Sequence, residues 1–241
     1  MKSAHQQIDA LVLAGGMGTR LRGAVPGQPK ALAPIAGKPF LDWLIPELAG
    51  QGVRRIVFCT GYGADAIRMH VGDGAGHGVE AVYSHEHTPL GTAGAIRNAL
   101  GEIRSDPFLV LNGDSWCRYQ VDTFAAFHRE SDAVCSILLA EVPDPSRFGA
   151  VSFDERFRVT GFYEKHSGSG LGWINAGVYL LSMAAAEAIP RGRPVSLENE
   201  VFPALVGHGL YGWTGSTGFI DIGTPESFLE AQGIFAAKRG K

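Results

Sequence analysis

Two rhythms of apolar and polar positions alternate along the first part of the chain. Short, nearly continuous apolar runs lie near 8–14, 54–60, 79–83, 108–112 and 133–140. Between them, near 40–50, 64–71, 91–100 and 121–130, apolar residues recur at three- and four-residue spacing. The first rhythm reads as strands buried on both faces and the second as amphipathic helices. Regular alternation of the two predicts βαβ units, with right-handed crossovers and ligands gathered outside the carboxyl ends of the strands. The expected class is α/β, a Rossmann-like, mostly parallel mixed sheet flanked by helices. From Arg147 to Phe219 the strand signal is denser, with turns at Asp154-Glu155 and Ser167-Gly-Ser-Gly170, and predicts a small antiparallel portion. Segments 197–206 and 225–237 read as closing helices, the last with Pro225 near its first position and Glu226 in its first turn. No linker or repeat interrupts the pattern, so residues 1–241 are expected to form one domain.

Composition narrows the classes of partner. At 241 residues and 45% hydrophobic, the chain can bury a sizeable core. No stretch approaches the roughly 20 apolar residues of a membrane span, and no apolar signal segment opens the chain, so a cytoplasmic protein with no membrane partner is expected. A net charge of −3 argues against nucleic acid; the cationic cluster Lys238-Arg-Gly-Lys241 stands at a terminus expected to fray. Cys59, Cys117 and Cys135 are odd in number and irregular in spacing, and read as reduced core thiols. A homodimer is the expectation that symmetry statistics supply.

Candidate chemistry sits where predicted strands end. In Leu11-Val-Leu-Ala-Gly-Gly-Met-Gly-Thr-Arg-Leu21 an apolar strand runs into Gly15, Gly16 and Gly18, which allow backbone N–H groups to converge on a phosphate. Arg20 and Lys30 follow as cations. The pattern fails the dinucleotide fingerprint, because Leu21 stands where a third glycine belongs, and fails the Walker A pattern, because Ala24-Val25 follow Gly23. Phe108-Leu-Val-Leu-Asn-Gly-Asp114 and Gly218-Phe-Ile-Asp-Ile-Gly-Thr-Pro225 both end an apolar run in a carboxylate. Either aspartate by itself reads as a cap or turn residue. As a pair they suit Mg²⁺, which takes one or two carboxylates together with water and substrate phosphates.

These motifs, with Pro89-Leu-Gly-Thr-Ala-Gly94, Arg147-Phe-Gly-Ala-Val151, Gly161-Phe-Tyr-Glu-Lys165 and Ile174-Asn-Ala-Gly-Val-Tyr179, resemble in order and spacing the sugar-1-phosphate nucleotidylyltransferases. Those enzymes join a nucleoside monophosphate to a sugar 1-phosphate and release pyrophosphate. The resemblance runs from Leu11 to about Leu229. Departure from the R-P-L-T wording after Arg20-Leu21 makes the chain most similar to the D-glycero-α-D-manno-heptose 1-phosphate guanylyltransferases of surface polysaccharide synthesis. Mannose 1-phosphate guanylyl and N-acetylmuramic acid 1-phosphate uridylyl branches stand as alternatives, as does a silent sugar-nucleotide-binding module.

What the resemblance implies can be set on residues. Arg20, Lys30, Asp114 and Lys165 would be catalytic, with Asp114 and Asp221 holding Mg²⁺. GTP or another NTP would be held by Leu13, Ala14, Gly15, Gly16, Gly18, Thr19, Pro89, Gly91, Thr92 and Gly113. Glu86 would add base contacts, because its carboxylate can accept from amino or imino groups of a purine. The sugar 1-phosphate would meet Gly149, Glu164, Lys165 and Asn175. An attacking phosphate oxygen is already ionised, so no general base is needed, and the motifs supply none. His85 and His87, which flank Glu86, read as ordinary surface histidines because no cysteine cluster supports a zinc site.

Overall fold

A computed structural model describes residues 7–16, 18, 27–163 and 170–239. The first half alternates as the hydrophobic pattern requires. Strand β1 (Ala10–Leu13) precedes a two-stranded hairpin, β2 (Pro34–Ile35) and β3 (Lys38–Pro39). Then come α1 (Leu41–Gly50), β4 (Arg55–Thr60), α2 (Ala64–Val71), β5 (Glu80–His85), α3 (Gly91–Ala99) and β6 (Phe108–Asn112). They are followed by β7 (Ser115–Arg118), α4 (Val121–Glu130) and β8 (Cys135–Val142). The second half holds β9 (Ala150–Phe153), β10 (Val159–Tyr163), β11 (Gly172–Leu181) and α5 (Met183–Glu187). It ends with α6 (Phe202–Leu205), β12 (Leu210–Trp213), β13 (Thr217–Asp221) and α7 (Pro225–Arg239).

The central sheet runs β10-β9-β11-β6-β1-β4-β5, with β8 paired to β11 and β12 to β8. Pairing senses place β1, β4, β5, β6, β8, β9 and β12 in one direction and β10 and β11 in the other. The mixed, mostly parallel sheet expected from the sequence is therefore present, and its antiparallel strands lie in the second half. Strand order reverses at β1, which has β4 on one side and β6 on the other. Such a switch point leaves a crevice beyond the carboxyl ends of the two diverging strands.

Burial on both faces explains the unbroken apolar runs. Along β1, Ala10 and Val12 enter one core with Leu44 and Leu48 of α1 and Phe235 of α7, while Leu11 enters the other with Ile96 of α3 and Phe202 of α6. The same alternation separates Ile56 and Phe58 from Val57 and Cys59, and Leu109 and Leu111 from Phe108 and Val110. Each apolar side chain fully buried this way is worth about 1.5–3 kcal/mol, so two-sided burial is what holds the parallel strands. Cys59, Cys117 and Cys135 are free and buried, and burial pushes the Cys117 thiol up to about 12.

Three elements depart from expectation. The segment read as a helix over 197–206 is a π-helical turn, Leu197–Val201, followed by the short α6. Pro203 has no N–H to continue an α-helical ladder from the preceding turn. Helix α5, capped by Ser182 Oγ accepting from Ala185 N at 3.2 Å, interrupts a stretch expected to be strands. Strand β7 pairs with β13, Asp221 opposite Ser115, forming a small antiparallel sheet that carries Asp221 at its edge and follows directly on Asp114.

Candidate active site

The crevice at the switch point is a cleft of about 410 Å³. Its walls are Leu13, Ala14, Gly15, Gly16 and Gly18 after β1, Asn112, Gly113 and Asp114 after β6, and Glu86, Pro89, Gly91, Thr92 and Ala95 around the start of α3. Lys30, Ala31 and Gly223 complete it. Every predicted nucleotide-handling residue among those described is therefore brought to one cleft. Thr19, Arg20, Glu164 and Lys165 lie outside the described residues.

Close packing accounts for the glycines. A Cβ on Gly15 would stand 2.7 Å from Glu86 Oε1 and 3.2 Å from Gly61 N, and one on Gly113 would stand 2.7 Å from Leu13 O. Gly113 N donates to that same carbonyl at 2.9 Å, which locks the turn after β6 against the end of β1. Gly91 combines a φ of +73° with a Cβ position only 2.5 Å from Val195 O, so both backbone and space require glycine.

Glu86 stands between these loops. Its Oε2 accepts from Leu90 N at 3.0 Å, tying the loop after β5 to the start of α3. Desolvation raises its pKa above 4.5, opposed by the Leu90 hydrogen bond and the charge of His85. The flanking His85 and His87 rings meet edge to face, 4.9 Å between centroids. No cluster of three potential metal ligands occurs among the described residues. Thr92 offers the cleft less than its hydroxyl promises: Oγ1 donates to Glu198 Oε2 at 2.9 Å and accepts from Leu197 N at 2.8 Å.

At the cleft's charged end, Lys30 Nζ is 2.5 Å from Asp114 Oδ2. Lys30 opens a 3₁₀ turn, Lys30–Leu32, directly after Pro29, whose fixed φ of −63° aims the chain into it. Asp221 pairs with Arg147, and its Oδ1 accepts from Gly223 N at 2.7 Å in a turn two residues long. Ile222 N donates to Asp114 O at 3.0 Å, so the backbones bearing the two carboxylates are bonded together. A Cβ on Gly223 would meet Asp221 Oδ1 at 2.6 Å and Lys30 Nζ at 3.1 Å, so this glycine lets carboxylate and ammonium close on one point. Sequence reading assigned no role to Gly223, Ala31, Ala95 or Asn112, and quoted Arg147 without giving it one. The signal for Gly223 was present, since Asp-x-Gly after a strand favours such a turn.

Two of the positions expected to meet the sugar are among the described residues, Asn175 and Gly149. Asn175 donates to Tyr179 Oη at 3.0 Å and accepts from Gly177 N at 2.8 Å, spanning the irregularity where β11 loses register with β8. Gly149 takes a φ of +85°, and a Cβ there would sit 3.4 Å from Tyr163 O. Neither lines the cleft.

Two carboxylates at neighbouring strand ends, each balanced by one cation, thus stand beside a glycine-walled cleft. Known proteins resemble the chain closely along most of its length. A mannose-1-phosphate guanylyltransferase from Mycobacterium tuberculosis is 40% identical over 229 residues, 94% of this chain and 64% of that protein. The crystal structure of HddC from Yersinia pseudotuberculosis superposes with a TM-score of 0.83 at 35% identity, covering 95% of this chain and 100% of HddC. Its complex with GMP-PN superposes at 0.82 with 36% identity over the same shares. The chain spans about 62% to 64% of the length of the curated relatives it matches. Residues 9–237 match the nucleotidyl transferase family, and the chain belongs to it.

Proposed function

We propose that the chain transfers a guanylyl group from GTP to the 1-phosphate of a manno-configured sugar, D-glycero-α-D-manno-heptose 1-phosphate in the first place, releasing pyrophosphate. The observation that carries this reading is the joining, in one cleft, of glycine-walled loops with the Lys30–Asp114 pair at the sheet's switch point. The likeness to HddC, which binds GMP-PN, supports guanine as the base. Mannose 1-phosphate is the second reading, favoured by the 40% identity to the mycobacterial guanylyltransferase.

In this reading the guanine lies on the Gly15 and Gly91 backbone, with Glu86 accepting from its N1–H and exocyclic amine. The triphosphate turns over Gly16 and Gly18 toward Lys30. A phosphate oxygen of the sugar 1-phosphate attacks the α-phosphorus in line as the bond to the β-phosphate breaks. Lys30, with Arg20 as the resemblance implies, takes up charge on the leaving pyrophosphate, and Lys165 orients the acceptor. At an effective dielectric of about 20, two unit charges 4 Å apart interact by about 4 kcal/mol, so each cation matters to an assembly of this many phosphates.

The donor set fits Mg²⁺. Asp114 and Asp221 are hard oxygen ligands borne on bonded backbones, and each holds a cation partner now, Lys30 and Arg147. When bound, the metal would neutralise phosphate charge and orient the reacting oxygens. Among the described residues no helix is long and apolar enough to cross a membrane.

The test is pyrophosphate release with Mg²⁺ across four NTPs and a panel of sugar 1-phosphates. Release confined to GTP with the heptose phosphate is expected. Release with GTP and mannose 1-phosphate selects the second reading, and release with another base discards guanine. No release from folded protein that still binds nucleotide makes the chain a binding module.

A further inference from the structure

A second cavity, about 330 Å³, opens on a different face of α3 from the cleft. Leu90, Gly94, Arg97 and Asn98 line it at helical spacing, whereas Gly91, Thr92 and Ala95 face the cleft. Its opposite wall is the bend Pro190-Arg-Gly-Arg193. Gly192 takes a φ of +79° there, a conformation that lets the chain reverse and present both arginines to the cavity.

Three arginines thus border one small space, and one of them is ion-paired. Arg193 pairs with Glu200 at 2.7 Å. Arg191 has no ion-pair partner among the described residues, and the Nε of Arg97 is buried with no hydrogen-bond partner. Like charges gathered at a concave surface raise the local potential for an anion. Planar guanidinium forks match phosphate oxygens two at a time, which a cluster of lysines would not do.

We propose that this cavity is a second anion site, for a diphosphate-bearing small molecule, and that its occupancy alters nucleotide binding in the cleft. Coupling runs through Val195. Its N–H donates to Leu90 O at 2.8 Å, and its carbonyl accepts from Ala93 N and Gly94 N at 3.0 and 3.2 Å. The same carbonyl lies 2.5 Å from where a Cβ of Gly91 would stand. An anion drawing Arg191 and Arg193 inward therefore pulls on the segment against which the first turn of α3, with Gly91 and Thr92, is packed. Pyrophosphate and a nucleoside diphosphate sugar are the two sources of this chemistry that guanylyl transfer would make. That choice of source and the coupling rest on the proposed function, whereas the cavity does not.

The full chain, with its cleft filled by a non-hydrolysable GTP analogue, is titrated calorimetrically with inorganic pyrophosphate and, separately, with GDP-mannose. Binding of either supports the site and identifies the source. The double variant Arg191→Gln/Arg193→Gln, both exposed positions, is expected to weaken that binding about tenfold or more. Arg97→Lys, which keeps the charge and loses the fork, should weaken it too. Saturating anion should shift the analogue's Kd about threefold in the parent chain and leave it unmoved in the double variant. No binding of either anion, or binding equal in parent and double variant, overturns the site; arginine-dependent binding without a Kd shift overturns the coupling. If the analogue itself fails to bind, the guanylyl reading has failed. The pyrophosphate titration of free parent and double variant then still decides the cavity.

Discussion

Lys30 Nζ lies 2.5 Å from Asp114 Oδ2, although 84 residues separate the two in sequence. The lysine side chain is 14% exposed and the aspartate 37%, so the pair is drawn partly out of water at the edge of the cleft. The ammonium holds the carboxylate in place, and in the proposed function it is the cation that meets phosphate charge.

Replacing Lys30 by Met is expected to lower kcat by about 10²–10³-fold, in the range seen when one donor to developing charge is removed. Pyrophosphate release measures it, with circular dichroism as the check on folding. A folded Lys30→Met variant that keeps near-parental turnover would sink the assigned role.

Asp221→Asn should reduce turnover far more than affinity for a GTP analogue, because the change spares Gly15, Gly91 and Glu86 while removing one of two carboxylates that suit Mg²⁺. Parallel titrations of turnover against Mg²⁺ and of analogue binding separate the effects. Equal losses in both would count against a metal role at this position.

In the proposed function Glu86 would link base recognition to pH. Burial raises its pKa above 4.5, so it takes up a proton earlier on acidification than an exposed glutamate does. Guanine affinity should then fall as pH drops toward that raised value, because the protonated acid loses acceptor capacity. Glu86→Gln should bind guanine nucleotides more weakly at neutral pH, by about tenfold, and lose this pH dependence. The stability sign is opposite to that of a salt-bridged acid. With its folded pKa raised, Glu86 favours the folded state below its unfolded pKa and loses that contribution as pH rises through the folded value. Glu86→Gln should therefore be no less stable at neutral pH in a denaturant melt; a large loss of stability would show the carboxylate to be needed for folding.

His128 is buried with Nδ1 2.9 Å from Ser136 Oγ, and desolvation pushes its pKa down from 6.5 to about 4. The fold accepts the neutral ring. Its contribution to stability is present above pH 6.5 and is lost as pH falls through the folded value near 4. Denaturant midpoints followed across this window should decline, and His128→Gln should flatten the decline. An unchanged slope in the variant would assign acid sensitivity to other groups.

Gly91→Ala should destabilise the chain by about 2 kcal/mol or more, because it combines a left-handed backbone with a collision at Val195 O. Gly50→Ala, at the end of α1 with open space around it, serves as the comparison and should be near neutral. Equal denaturant midpoints for the two variants would remove the packing argument for Gly91.

Periodicity and turn chemistry made much of this molecule legible. Helices α2 and α4 and strand β6 begin and end at the expected residues, because their apolar spacing and flanking breakers are local properties of the chain. The glycines of the first loop and Asp114 were visible because each follows an unbroken apolar run, and such runs end at the rim of a parallel sheet. Strand β7 was not legible. Four residues directly after the Asp114 turn acquire their strand character only by pairing with β13, far along the chain. Asn175 shows the same limit from the other side: its bonds to Tyr179 and Gly177 follow from the register shift in β11, which no local pattern announces.

By itself, then, the sequence determined the alternation of strand and helix, the two-sided burial of the parallel strands and the residue types available for phosphate and metal, all of which follow from local spacing and composition. Tertiary structure alone decided the pairing of Lys30 with Asp114 and of Arg147 with Asp221, and the meeting of Arg97 with Arg191 and Arg193 around one cavity. Those relationships depend on which distant strands lie side by side and on the space left between their loops, quantities set by packing of the whole chain rather than by any segment of it.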